Sequence, residues 1–304
     1  LAKGGMGMKI AVAGGSGFIG RHFVAYAQNH GHQVIVISRS KNQRFPENVE
    51  IVTWEELLRD SGLLNETEAI VNLAGESINQ RWTNEAKQRI LGSRVETAQA
   101  IADLVRQMEQ KPAVVVNASG ISYYGTSETE TFDESSPCRI TDFLADVTVK
   151  WEEAIDRIKD TRVVKLRVSL VLAGDGGALP KMALPYKLGF GGRVGSGKQW
   201  MSWIHISDMV RLIDFCIKNP EMSGPVNASS PQPVTNDEFG RTLGQVLGRP
   251  HYFPVPAWLM KLVFGELSVL LLQGQKAIPA KASAHGFSFR FPNIKDALQD
   301  ICNK

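Results

Sequence analysis

The stretch MKIAVAGGSGFIGRHFVAYAQNHGHQVIVISR, Met8 to Arg39, decides the fold. Ile10-Ala11-Val12-Ala13 is a short apolar run of the kind that a parallel strand buried on both faces requires. Gly14-Gly15-Ser16-Gly17-Phe18-Ile19-Gly20 follows, with glycines at 14, 17 and 20. Behind it Phe23, Val24 and Ala27 recur at helical spacing, and Gly31 stands where a left-handed cap would end the helix. Val34 to Ile37 reads as a second strand. Strand, glycine-rich turn, helix and strand in this order turn a weak glycine pattern into a dinucleotide-site candidate. Glycines let the backbone approach a pyrophosphate, and the amides opening a helix, with its dipole, favour negative charge. The bland alternative is a tight turn that binds nothing.

The end of the second strand chooses between dinucleotides. An NAD site places a carboxylate there for the adenosine ribose 2′-OH. This chain offers Ser38-Arg39-Ser40-Lys41 instead. A guanidinium forks onto a phosphate, whereas an acid would be needed to hold a diol. The pattern therefore points to NADP(H), against the alternative of a solvated basic turn.

Composition narrows the remaining classes. The 304 residues suit one large domain or two modest ones, and 43% hydrophobic with 21% charged residues describe an ordinary globular chain. A net charge of +3 with no long basic run argues against nucleic acid. Cys138, Cys216 and Cys302 form no CxxC, which favours a reducing compartment over a disulfide frame or a zinc site, so no metal is expected. Trp258 to Leu272 is apolar but broken by Lys261, Gly265 and Glu266, too short and too charged to span a bilayer. The expectation is a cytoplasmic protein acting on a small molecule, with the choice between monomer and homodimer open. Leu1 to Gly7 reads as a leftover preceding a native start at Met8.

Further along, Val49 to Val52, Ala69 to Gly75, Ala113 to Ser119 and Val163 to Leu172 read as strands. Helices are expected near Glu55–Asp60, Asn84–Met108 and Asp142–Ile158. That alternation is the signature of a parallel α/β sheet. Gly174 to Trp200 should be mostly loop with short ordered pieces, and a segment this long and irregular is usually functional. Trp203 to Ile206 looks like a strand returning to the core, with Asp208 capping the helix that runs to Ile217. Thr235-Asn236-Asp237-Glu238 fits a capping box for a helix to Leu247. Pro254-Val255-Pro256 introduces an apolar helix, and Phe287 to Phe291 alternates as a strand would.

The 14/17/20 glycine spacing ending in Phe-Ile-Gly resembles the extended short-chain dehydrogenase/reductase superfamily, the nucleotide-sugar epimerase group. More specific pieces resemble one atypical branch, the epimerase-like family of unknown substrate that ends in a domain of unknown function. They are Asn72-Leu73-Ala74-Gly75-Glu76, Arg81-Trp82-Thr83, Ser93-Arg94-Val95-Glu96-Thr97, Tyr123-Tyr124-Gly125 and Trp151-Glu152. Gly191-Gly192-Arg193-Val194-Gly195-Ser196-Gly197, Trp203-Ile204-His205, Pro225-Val226-Asn227-Ala228, Leu272-Gln273-Gly274-Gln275-Lys276 and Gly286-Phe287 continue the match to the end of the chain.

The resemblance implies a Rossmann doubly wound parallel sheet over residues 8–172, with 205–230 partly returning to it. A smaller interleaved α+β lobe would take 173–204 and 231–304. Cofactor contacts are expected from Gly14, Ser16, Gly17, Phe18, Ile19 and Gly20, from Ser38, Arg39 and Ser40, and from Leu73, Ala74 and Gly75. Arg94 would lie near the NADP phosphates or adenosine, or else be an ordinary helix-surface arginine.

Typical members exchange the substrate proton through a Tyr-x-x-x-Lys pair assisted by a serine. None of the five tyrosines here is followed by a lysine four residues on. Leu144 and Thr148 stand in the two places, counted back from Trp151-Glu152. Ser119 at the fifth strand's end, Tyr124 and Glu76 are the candidate catalytic groups, each with a structural alternative. His205 reads better as a satisfied core histidine, and Trp82 and Trp200 as pocket walls or core. The expected function is an NADP(H)-dependent oxidoreductase or epimerase-like enzyme on a small polar substrate, nucleotide sugar included. The alternative is an NADP(H)-binding sensor or scaffold without turnover.

Overall fold

The structure is a computed structural model and describes residues 7–303 apart from Arg44 and Glu47. The segment Leu1 to Gly7, read from the sequence as a leftover before Met8, falls outside the described residues except for Gly7. The chain opens with β1 (Lys9–Ala13), α1 (Phe18–Asn29), β2 (Gln33–Ser38), β3 (Val49–Thr53), α2 (Trp54–Arg59) and β4 (Ala69–Asn72). Then come α3 (Asn84–Gln107), β5 (Val114–Gly120), β6 (Thr131–Phe132), α4 (Phe143–Ile155), β7 (Arg162–Val168) and β8 (Leu170–Leu172). Next are α5 (Leu179–Lys187), β9 (Trp200–Met201), β10 (Trp203–His205), α6 (Ile206–Lys218), β11 (Gly224–Ala228), β12 (Val234–Thr235) and α7 (Asn236–Leu247). The chain closes with α8 (Ala257–Phe264), α9 (Val269–Leu272), β13 (Lys276–Ala277), α10 (Ala280–Ala284) and α11 (Ile294–Cys302).

Seven parallel strands form the main sheet in the order β11-β7-β5-β4-β1-β2-β3. The order reverses between β1 and β4, and in a doubly wound sheet the ligand crevice opens at that point, beyond the carboxyl ends of the strands. The expected Rossmann class is what the chain adopts. Both faces of the sheet are covered, which is why its central strands β1, β2 and β4 are mostly apolar. Ile10 and Val12 of β1 pack with Phe23 and Val24 of α1 and with Met209 and Ile213 of α6. On the opposite face Ala11, Ile35 and Val115 meet Ile101 and Val105 of α3 and Trp151 and Ile155 of α4. Each such side chain taken fully out of water contributes roughly 1.5–3 kcal/mol before entropy is counted.

Residues 163–172, read from the sequence as one strand, fall in two, β7 and β8. Through Val168 the segment pairs with β5 and β11; Leu170–Leu172 then pairs with β10. Ser169 makes the break, its backbone N–H and its hydroxyl both donating to the carbonyl of Ala228. Beyond it a second core gathers Leu179 and Tyr186 of α5, Phe239 and Leu243 of α7, and Leu298 of α11 around Leu172 and Trp203.

Residues 174–200 are mostly irregular, as expected, and their main ordered piece is the nine-residue α5, with Pro180 in its first turn where the missing N–H costs nothing. Two further expectations are corrected. The cap of α6 is His205, whose Nδ1 accepts from Ser207 N at 3.0 Å. Asp208, fully buried one turn inside, instead accepts the backbone N–H groups of Arg290 and Phe291, both at 2.9 Å, and the Arg211 guanidinium. Because those residues bond to a side chain, residues 287–291 run as an irregular segment and not as a strand. The Thr235–Glu238 capping box is present as read. Among the described residues no helix is long and apolar enough to cross a membrane.

Candidate functional site

The turn after β1 is built by contacts that tolerate no side chain. A Cβ on Gly20 would lie 2.1 Å from the Gly14 carbonyl oxygen, and one on Gly14 would lie 2.6 Å from Ala74 N. Gly14 also needs its left-handed φ of +78°. Gly17 differs. Its backbone is extended, and an added Cβ would meet only the Gly14 oxygen, at 3.2 Å. Gly17 is the N-cap of α1, and no side chain among the described residues caps the first-turn N–H groups of the helix. Packing therefore demands glycine at 14 and 20 more strictly than at 17.

Ser16 and Gly17 are exposed, and Phe18 and Ile19 are half-buried beside them. Above Phe18 runs the 174–178 segment, whose Asp175 accepts from Arg21 Nη2 at 3.0 Å and sits 3.1 Å from His22 Nε2. The end of β4 joins the same edge: Leu73 N donates to the Ala13 carbonyl, and Ala74 N to the Asn72 side chain. At the end of β2, Ser38 is buried and its hydroxyl accepts from Ser40 N. Arg39 is exposed and makes no ion pair among the described residues.

Arg94 braces this edge from beneath. Its Nη1 donates to the carbonyls of Glu76 and Ile90, both at 3.0 Å, and its guanidinium lies 5.2 Å from the centre of the Trp151 ring. Burial lowers its pKa to about 10. A Cβ on Gly75 would come within 3.0 Å of the Arg94 Cζ, so the Leu73–Glu76 loop rests directly on this cation.

The end of β5 is arranged otherwise. Ser119 is buried, its hydroxyl donating to Glu152 Oε1 at 2.8 Å. Glu152, on the next turn of α4 below Thr148, is also gripped by Arg167 through Nε at 2.8 Å and Nη2 at 3.0 Å. Arg167 Nη1 donates to the Tyr124 hydroxyl at 2.9 Å, and Tyr124 donates to Asn227 Oδ1 at 2.7 Å. The guanidinium also lies flat against Tyr123, 3.4 Å from the ring centre. Burial works against the charge on Arg167, and the Glu152 carboxylate outweighs it, so the pKa rises. Burial likewise pushes Tyr124 up to about 12, and Arg167 opposes this in part. Tyr124, 0% exposed, opens onto no cleft. Its hydroxyl is enclosed by protein, which corrects its reading as an acid/base group in reach of substrate.

Leu144 and Thr148 sit where a tyrosine and a lysine were sought. Leu144 is buried among Trp82, Ile90 and Val147, and the Thr148 hydroxyl donates to the Leu144 carbonyl. The β5 residue facing Thr148 is Gly120, whose Cβ would lie 3.4 Å from Thr148 Oγ1; Ser119 is one place too deep. Ser122 lies half-buried in the turn beyond Gly120, past the strand-end position at which a serine is expected from the sequence. Glu76 remains accessible, its side chain 39% exposed and accepting from Gln80 Nε2 at 3.2 Å. His205 is a buried cap against Phe291, as expected of a core histidine.

The loop after β4 leads from the Gly75 edge to Trp82, whose indole N–H donates to the Ile78 carbonyl. Trp82 forms one wall of a cavity of about 730 Å3 between the head of α4 and the α8–α9 segment. Among the described residues no cluster of three or more His, Cys, Asp or Glu side chains is placed to hold a metal.

This arrangement has known counterparts. The profile of the NAD dependent epimerase/dehydratase family matches residues 10–228, and that of a domain of unknown function, DUF1731, matches 255–301. The chain belongs to that epimerase family. It is 41% identical over 294 residues to an epimerase family protein of Staphylococcus haemolyticus, covering 95% of this chain and 97% of the relative. It is 40% identical over 307 residues to the chloroplastic SDR39U1 homologue of Arabidopsis thaliana, covering 97% and 86%. Among solved structures, human epimerase family protein SDR39U1 with NADPH superposes with a TM-score of 0.91 at 38% identity, covering 97% and 99%. The family and the C-terminal domain are those that the sequence resembled.

Proposed function

We propose that the protein is an NADP(H)-dependent oxidoreductase of the epimerase family that reduces or re-oxidises a small carbonyl compound. The observation that carries the reading is the pairing of the uncapped first turn of α1, Phe18 to Gly20, with an Arg39 at the end of β2 that has no ion pair among the described residues. The Gly14–Gly20 turn would hold the pyrophosphate, Arg39 with Ser38 and Ser40 the 2′-phosphate, and Leu73–Gly75 the face toward nicotinamide. The solved human relative with NADPH supports the choice of cofactor. When bound, the nicotinamide supplies or takes up hydride.

The chain's own part is to position the substrate oxygen and move its proton. Glu76 carries the accessible carboxylate at this edge and is assigned proton exchange with solvent; Ser122 is assigned a hydrogen bond to the oxygen. Ser119 and Tyr124 are positioning residues that hold Arg167 and Glu152. A second reading, binding without turnover, is favoured by one observation: the polar groups ending β5 are satisfied internally.

Fluorescence titration with NADPH and NADH tests the cofactor. NADPH should bind at least tenfold tighter, roughly 1.4 kcal/mol, and Arg39→Asp should erase the preference. Equal affinities in the parent would sink the assignment. Tight NADPH binding with no turnover on any carbonyl compound would leave the binding role standing.

A further inference from the structure

Two segments of the C-terminal lobe carry no acidic residue at all. No Asp or Glu stands between Asp175 and Asp208, or between Glu238 and Glu266, although the chain as a whole is nearly balanced at +3. The fold joins these segments. Tyr252 N and Phe253 N donate to the Gly191 carbonyl at 2.9 and 3.0 Å, Val255 N to that of Arg193 at 2.8 Å, and Gly195 N to that of Val255 at 2.9 Å. Phe190 and Phe253 meet edge to face across the seam, with ring centres 5.7 Å apart.

Helix α8 follows directly from that seam, and none of its residues is buried. A helix apolar on nearly every side ordinarily lies inside a protein. Trp258 is 66% exposed and Leu262 72%, and at a spacing of four they share one side of the helix. Leu188, Phe190 and Tyr252 are exposed beside the seam as well. Apolar surface gathered in this way marks a contact with something other than water.

The charges around it say what that contact is. Lys187, Arg193, Arg249 and Lys261 are exposed, and none has an ion pair among the described residues. The bordering carboxylates are committed: Asp142 caps α4, and Glu266 pairs with Lys87. A second copy fits poorly, because a two-fold contact would set these cations against themselves. Anionic headgroups complement them. Protruding Trp, Tyr and Leu side chains suit the boundary between headgroups and acyl chains, and Lys261 can lay its methylenes there while its ammonium stays at the phosphates.

We propose that this face seats the protein peripherally on an anionic lipid surface, with Trp258 and Leu262 entering the boundary and the four cations meeting lipid phosphates. The seat occupies one leaflet, since among the described residues no helix is long and apolar enough to cross a membrane. It does not rest on the oxidoreductase reading above.

Flotation of the full chain tests it, with vesicles of phosphatidylcholine alone or mixed three to one with phosphatidylglycerol. The anionic vesicles should carry at least tenfold more protein at low salt, and added salt should shrink that advantage. Trp258→Ser with Leu262→Ser should lower binding to them at least tenfold. Lys187→Glu with Lys261→Glu should reduce it to the level of the neutral vesicles. All four positions are exposed, so melting and NADPH titration of these variants should match the parent. Brominated lipid in the anionic mixture should quench the parent's tryptophan emission, and Trp258→Phe should still bind yet lose most of that quenching. No flotation with anionic vesicles at low salt would overturn the proposal and leave the face to an acidic protein partner. Serine variants that bind as the parent does would overturn it too, as would a dimer in sedimentation that the serine pair dissociates.

Discussion

Two turns at the same edge of the sheet use polar groups in opposite ways. After β1 the Gly17 amide is bonded to the Gly14 carbonyl, the first turn of α1 behind it has no side-chain cap among the described residues, and an added Cβ on Gly17 would meet one carbonyl oxygen there. After β5 the hydroxyls of Ser119 and Tyr124 are each bonded, and the Arg167 guanidinium between them is bonded on three nitrogens. Residue types alone would rank the second turn as the more reactive. Partner accounting reverses that ranking, because a buried group with a full set of hydrogen bonds has nothing left to offer a substrate.

The largest effect should come from the closed network. Glu152→Ala leaves the Arg167 charge buried without its counter-ion, a loss of about 3–5 kcal/mol. Urea denaturation should show it as a large drop in midpoint. A loss under about 1 kcal/mol would mean that water enters the β5 end and that the contrast between the turns is overstated.

The glycines of the open turn split the comparison further. Gly20→Val drives a Cβ to 2.1 Å from the Gly14 oxygen and should destabilise by about 3 kcal/mol or more. Gly17→Val should cost about 1 kcal/mol of stability yet weaken NADPH at least a hundredfold, roughly 2.7 kcal/mol. If Gly17→Val melts normally and still binds NADPH, the turn is structural at all of its glycines.

What the sequence allowed one to read follows from the range of the interactions. The Met8–Arg39 unit, the Thr235 capping box and the left-handed Gly31 are local devices, and each is found as read. Non-local partners were invisible. Asp208 looks like a helix cap in sequence, but segment 290–291, some eighty residues later, claims its carboxylate. Tyr124 looked available until Arg167 and Asn227 were placed beside it. The absence of Tyr-x-x-x-Lys could be read directly, but not that Leu144 would be sealed beneath Trp82.

Tyr124→Phe comes next in size. It deprives Arg167 and Asn227 of one partner each and should cost about 2 kcal/mol at neutral pH. It should also alter the alkaline limb. An unfolded tyrosine titrates near 10, and Tyr124 in the fold is pushed up to about 12. Above pH 10 the unfolded chain therefore binds fewer protons than the folded one, so stability falls as pH rises between those values. Tyr186, also pushed up to about 12 by burial, contributes in the same direction. The phenylalanine variant should flatten part of this slope in urea midpoints measured from pH 9 to 12. An unchanged slope would place the Tyr124 hydroxyl in water, on the open side of the comparison.

The smallest expected effect tests the division most directly. Ser119→Ala removes one hydrogen bond to Glu152, but that carboxylate keeps two from Arg167 and an ion pair with Lys165 at 3.4 Å. No charge is orphaned, so the loss should be about 1 kcal/mol. NADPH affinity and turnover should both stay within twofold of the parent, because the hydroxyl points into the protein and not toward the Gly17 turn. A group transferring the substrate proton would behave differently: its removal typically lowers turnover by roughly a hundredfold or more while leaving cofactor binding alone. Stability, NADPH affinity and turnover measured on the one variant thus separate a residue that holds the β5 end in shape from one that acts on substrate. A collapse of turnover at unchanged stability would move Ser119 to the reacting side and return the end of β5 to the active site.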